Sequence, residues 1–92
     1  MELKDTIEMM QSEGYKERFK AEYYQTKIRY EKLKKFNTKI EAANRMKYYT
    51  MNPALEEPKH DCPPDLLIEQ QRIMGEYLHL LEVRAVLEHI DL

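Results

Sequence analysis

Residues 65–90 read DLLIEQQRIMGEYLHLLEVRAVLEHI, and the architecture follows from how this stretch distributes its apolar side chains. At helical spacing they fall on two stripes. One runs through Leu67, Met74, Leu78, Leu81 and Ala85, the other through Leu66, Ile73, Leu80, Val83 and Leu87. A surface helix hides one apolar stripe, so a helix with two needs a cover on both sides. One other helix of the same chain supplies only one of them. The stretch therefore predicts a helix over 64–90 that pairs within its own chain and self-associates through the remaining side. The interface residues expected are Leu66, Ile73, Met74, Gly75, Tyr77, Leu80, Leu81, Arg84 and Leu87. Gly75 in mid-helix marks close approach of another helix.

Upstream, no proline interrupts the chain from Tyr15 until Pro53. Phe19, Tyr23, Thr26, Tyr30, Leu33, Asn37 and Ile40 follow a four-then-three step like a coiled-coil seam, with Phe36 and Ala43 alongside. A helix over 13–50 is predicted, with Thr26 and Asn37 as polar breaks that set register. It outruns its partner, so the end near Ala42 to Tyr49 is expected to overhang, bend or fray. Asn52 and Pro53 stop it, because the residue before a proline is biased away from helical geometry. A proline-rich loop over 51–63 either packs back on the body or carries function, and Pro63 and Pro64 lead into the last helix. Before all this, residues 3–11 form a short helix capped by Asp5 or Thr6, with Ile7 and Met10 on one side. Ser12 closes that helix or caps the next. The fold class is all-α: one domain over 1–92, a short N-terminal helix followed by a long antiparallel, coiled-coil-like hairpin that oligomerises through its C-terminal helix.

Charge is distributed unevenly. Net charge is −2, yet residues 13–50 hold eleven Lys and Arg against five Asp and Glu, while residues 51–92 hold three against nine. The rims of a hairpin built from these halves attract. Charged residues make up 35% of the chain and Gly and Pro number only two and four, a composition that suits long polar-faced helices. The single cysteine, Cys62, has no partner for an intrachain disulfide, and no basic-then-apolar leader opens the sequence, so a reducing cytoplasm is expected. Charges interrupt every apolar stretch before the roughly 20 residues a bilayer needs, so no membrane role is expected.

Chemistry is sparse. His60, Asp61 and Cys62 lack the further ligands of a zinc site, and no metal is expected. His79 and His89 stand alone, Glu56 and Glu57 sit in a loop without a tuned environment, and neither a phosphate loop nor a nucleophile motif occurs. No catalytic residue and no cofactor are expected, and the chain reads as a non-enzyme. The notable cluster is basic and aromatic: Lys16, Arg18, Lys20, Tyr24, Lys27 and Arg29 beside Tyr23 and Tyr30. Arginine and tyrosine are the residues that pair with phosphate and stack on bases, although surface lysines also serve solubility and seam tyrosines serve the core. A pI near 5.9 argues against duplex DNA.

The segments YKERFKAEYYQTKIRYEKL and CPPDLLIEQQRIMGEYLHLLEVRAVLE resemble a family of small phage- and prophage-encoded proteins labelled as related to a crAss-like phage protein. The resemblance rests on Glu22 and Tyr23, Lys27 and Arg29, Lys32 and Leu33, then Leu67, Gln71, Met74, Tyr77, Leu78, Leu81, Glu82 and Arg84. It implies an accessory factor of the bacterial host's cytoplasm that inhibits antiphage defence by stoichiometric binding of a host protein. Two alternatives stay open: a protein that sequesters a nucleotide or binds single-stranded nucleic acid on the basic and tyrosine face, and a structural or assembly adaptor.

Overall fold

A computed structural model describes residues 1–49 and 56–92, and the helix stop expected at Asn52 and Pro53 lies outside them. A 3-10 turn at Leu3–Thr6 runs into α1 (Ile7–Gln11), followed by α2 (Tyr15–Tyr49) and α3 (Pro64–Leu87). Among the described residues there is no strand. The longest dimension, 56 Å, is set by α2, whose 35 residues span about 52 Å at 1.5 Å each.

The seam expected on α2 is the one α3 covers. Phe19 and Tyr23 are buried with Leu78, Leu81, Ala85 and Ile90, and Tyr24 and Tyr30 pack against the edge of this cluster. The first stripe of α3 thus finds its cover inside the chain. The second stays open: Leu66, Ile73, Leu80, Val83 and Leu87 are all exposed. Leu81, expected between copies, is 1% exposed and belongs to the intrachain core, because it lies on the α2 side of the helix. Met74 and Gly75 are half-buried, with the Tyr30 ring packed against Gly75.

Asn37 sits in the seam, 8% exposed, and its Nδ2 donates to the Leu67 carbonyl (3.1 Å) and to Gln71 Oε1 (2.9 Å). Its Oδ1 accepts nothing, so the amide ties α2 to one register of α3 while one buried acceptor goes unpaired. Opposite charge plays a different part from the one expected. No Lys–Asp or Arg–Glu bridge among those described joins α2 to α3; the bridges lie within a helix or involve the connecting segment and the N-terminal turn. Tyrosine hydroxyls cross instead. Tyr23 donates to Glu82 (3.1 Å), Tyr15 to Glu88 (2.8 Å) and Tyr77 to Glu22. At Tyr23 the phenol brings its polar tip to the rim while its ring fills the seam, which a lysine ammonium does less well; Tyr15 and Tyr77 bridge from the exposed edges.

The last helix ends at Leu87, three residues before the expected limit. Glu88 closes it, His89 takes φ 57°, and the Ile90 N–H returns to the Ala85 carbonyl (2.8 Å) while the His89 N–H points to Val86 (3.4 Å). This is a Schellman stop. It turns Ile90 into the core beside Phe19, and Lys16 donates to the His89 carbonyl (3.2 Å).

At the other end, Thr6 is fully buried on α2, donating to the Leu3 carbonyl (2.7 Å) and accepting from Gln25 (2.9 Å). The 3-10 turn is capped at Glu2 rather than Asp5, which stands three residues on and accepts the Glu2 N–H (2.7 Å), and Thr6 takes the N-cap position of α1. Ile7 and Met10 remain exposed. Ser12 closes α1, its hydroxyl accepting the Gly14 N–H (3.1 Å), and Arg18 donates to the Ser12 and Glu13 carbonyls to hold the joint. The far end of α2 does not overhang bare. Ala43 has no exposed surface, and Lys47 pairs with Glu57 (3.4 Å) where residues 56–60 fold back.

Candidate functional site

The side of α2 turned away from α3 carries an open groove lined by Met1, Tyr24, Lys27, Ile28, Glu31, Lys32 and Lys35. A continuation adds Leu3 and Lys4 and shares Met1, Ile28 and Lys32. Its construction follows from helix geometry. Tyr24, Ile28, Glu31 and Lys35 recur at four, three and four residues, so one face of α2 presents an aromatic and aliphatic floor at Tyr24 and Ile28 that continues into Glu31 and Lys35, with Lys27 and Lys32 on the two rims. The N-terminal segment, anchored by Thr6, forms the opposing wall. Tyr24 is half-buried and held edge-on against Tyr23, with ring centroids 5.2 Å apart, and Lys27 Nζ lies 5.8 Å from the centre of the Tyr23 ring.

Chemically, this is an apolar floor beside three ammonium groups and one carboxylate, Glu31, a net positive charge. It suits an anion with a planar part, since the ring offers stacking and the lysines offer charge. Of the six ligand residues expected, Tyr24 and Lys27 line the groove. Lys20 lies on the same side one turn earlier, half-buried and paired with Glu17 (3.3 Å). Lys16 and Arg18 are turned to main-chain carbonyls at the end of the hairpin where α2 begins and α3 stops. Arg29 is exposed three turns from Arg18, on its side of the helix. Sequence reasoning missed Ile28, Lys32 and Lys35, although the four-three-four row from Tyr24 to Lys35 was available as a signal.

A second groove lies between the later half of α2 and the start of α3. It is lined by Asn37, Asn44, Arg45, Pro64, Ile68 and Gln71 among others. Arg45 there is bound to Glu41 (2.9 Å), which leaves less free charge than in the lysine groove.

Perturbed groups cluster outside both grooves. Hydrogen bonding to Glu57, then to the Cys62 carbonyl, raises the His60 pKa, and His60 in turn lowers that of Glu57. The bond to Glu88 raises Tyr15, that to Glu22 raises Tyr77, and burial raises Tyr23. These groups join elements of the fold. His60 donates to Glu57 (2.9 Å) and to the Cys62 carbonyl (2.7 Å) and packs edge-on to Phe36.

No described helix is long and apolar enough to cross a membrane. No curated protein and no solved structure matches the chain. A family model described as Sequestin matches residues 13–87, the span from the start of α2 to the end of α3, and that description carries no phage or prophage origin. With the match covering most of its length, this chain belongs to the Sequestin family.

Proposed function

We propose that the protein is a stoichiometric binder that sequesters a small anionic ligand of the nucleotide class in the lysine groove of α2. The observation that carries this reading is the assembly of Tyr24 with Lys27, Lys32 and Lys35 around one open groove. A family description that names sequestration supports binding in general. The finer reading is an accessory factor of phage or prophage origin that lowers the free concentration of a host defence signal. It draws on the family resemblance of the two helical segments. Capture of a host protein is the rival, and the exposed second stripe of α3 favours it.

The test is thermal melting of the purified chain with cyclic and linear mono- and dinucleotides at two salt concentrations. A ligand that prefers the folded state stabilises it by about 2.7 kcal/mol at a hundredfold excess over its Kd. Tyr24→Ala should weaken binding about tenfold, in line with ~1–3 kcal/mol for a stacked base. Lys35→Ala should reduce both affinity and its salt dependence. Melting unchanged by every nucleotide would remove this reading and leave the protein-partner one.

A further inference from the structure

Leu66, Ile73, Leu80 and Leu87 repeat every seven residues along α3 and are 52%, 50%, 61% and 73% exposed. Gln70, Tyr77 and Arg84 interleave them, giving an unbroken four-three spacing on an exposed helix face, at whose edge Tyr77 and Arg84 bond across to Glu22 and Tyr15 of α2. A four-three row is the seam of a two-stranded coiled coil, and an evenly spaced row is its own complement when turned end for end. The row spans about 32 Å at 1.5 Å per residue, and with a helix about 10 Å wide it offers about 320 Å² per copy, the size of a weak contact that forms at high concentration.

We propose that this face docks on the same face of a second copy, α3 against α3 in antiparallel orientation. Charge sets the orientation. A parallel pair would align the helix dipoles and set Arg84, bound to Glu88 in its own copy (3.0 Å), against Arg84 of the other, which is unfavourable. Reversal brings Arg84 toward the acidic first turns of the second copy, where Asp65 and Glu69 stand, and sets Ile73 near Leu80 of that copy. The lysine groove faces away from α3, so each copy keeps its own, and this pairing is independent of what the groove binds.

Light scattering at high micromolar concentration should give twice the 11.2 kDa chain mass. Leu80→Glu should give the single-chain mass with unchanged helical circular dichroism, since Leu80 makes no part of the intrachain core. In a Cys62→Ser background, joint Ile73→Cys and Leu80→Cys should cross-link the copies under oxidation, while Ile73→Cys alone should not. A wild-type chain that stays single overturns the pairing and leaves the face to a partner of another sequence. A Leu80→Glu variant that remains double overturns the face, and complete cross-linking by Ile73→Cys alone overturns the orientation.

Discussion

The ring of Tyr30 lies against Gly75, so that a Cβ added to the glycine would sit 3.4 Å from Cε2 of the tyrosine. The close approach expected at this glycine is made by a side chain, and it leaves room for one methyl group at ordinary contact distance. Gly75→Ala should therefore stabilise the fold by up to about 1 kcal/mol, because alanine gains the helix propensity that glycine lacks. Gly75→Leu should destabilise it by displacing Tyr30. Urea unfolding distinguishes the two, and a loss of stability in the alanine variant would show the contact to be tighter than described.

The Tyr23–Glu82 bond gives a second prediction. Tyr23→Phe keeps the ring in the core and deletes only the donor, so the expected cost is about 1.5 kcal/mol, the lower end for a bond to a charged group. Glu82→Gln should cost less, and the double variant should show coupling between the two. Strict additivity would mean that the bond holds nothing together.

At the connecting segment, both ring nitrogens of His60 face acceptors, which only the doubly protonated imidazolium can satisfy. Its folded pKa is raised, so its contribution is fully present below the unfolded value near 6.5 and fades as pH climbs through the folded one. Glu57 is lowered, so its contribution is present above the unfolded carboxylate value and is lost as pH falls through the folded one. The docking of residues 56–60 on α2 should therefore be firmest between the unfolded carboxylate value and the unfolded histidine value, and should weaken as pH passes outward toward the depressed Glu57 pKa or the raised His60 pKa. NMR titration of the His60 ring should show a midpoint above that of a free histidine, and Glu57→Gln should bring it down. An unmoved midpoint would refute the pairing.

The Schellman stop predicts an improvement. His89 holds φ 57°, a left-handed conformation that disfavours residues with a Cβ, and its carbonyl, which Lys16 reaches, survives replacement of the side chain. His89→Gly should raise stability by about 0.5–1 kcal/mol, seen as a higher urea midpoint at unchanged slope. A lower midpoint would assign the imidazole a role that its exposed position does not show.

Much of the hairpin was legible before any coordinates. Phe19, Tyr23, Asn37 and Ile40 marked the inner face of α2, and Leu67, Met74, Leu78, Leu81 and Ala85 marked that of α3, because helical periodicity is a local property of the chain. Ile90 kept that apolar period past the point where the helix ends, which hid the turn at His89. The groove was half legible. Tyr24 and Lys27 carry the basic and aromatic signal and the four-three-four row extends it to Lys35, but Met1 and Lys4 join them only because the N-terminal segment lies across α2.

Taken alone, the order of residues determined that this chain is two long helices with an apolar seam between them and a second apolar stripe left over. That follows from spacing, and spacing is fixed once the backbone is helical. Tertiary structure decided which basic residues become wall, cap or groove. Lys16 and Arg18 close the fold by binding carbonyls, while Lys27 and Lys35 face open space beside Tyr24. The physical reason is that a lysine or arginine on a helix carries the same charge everywhere, and what it does depends on which acceptors the folding of distant segments brings within about 3 Å of it.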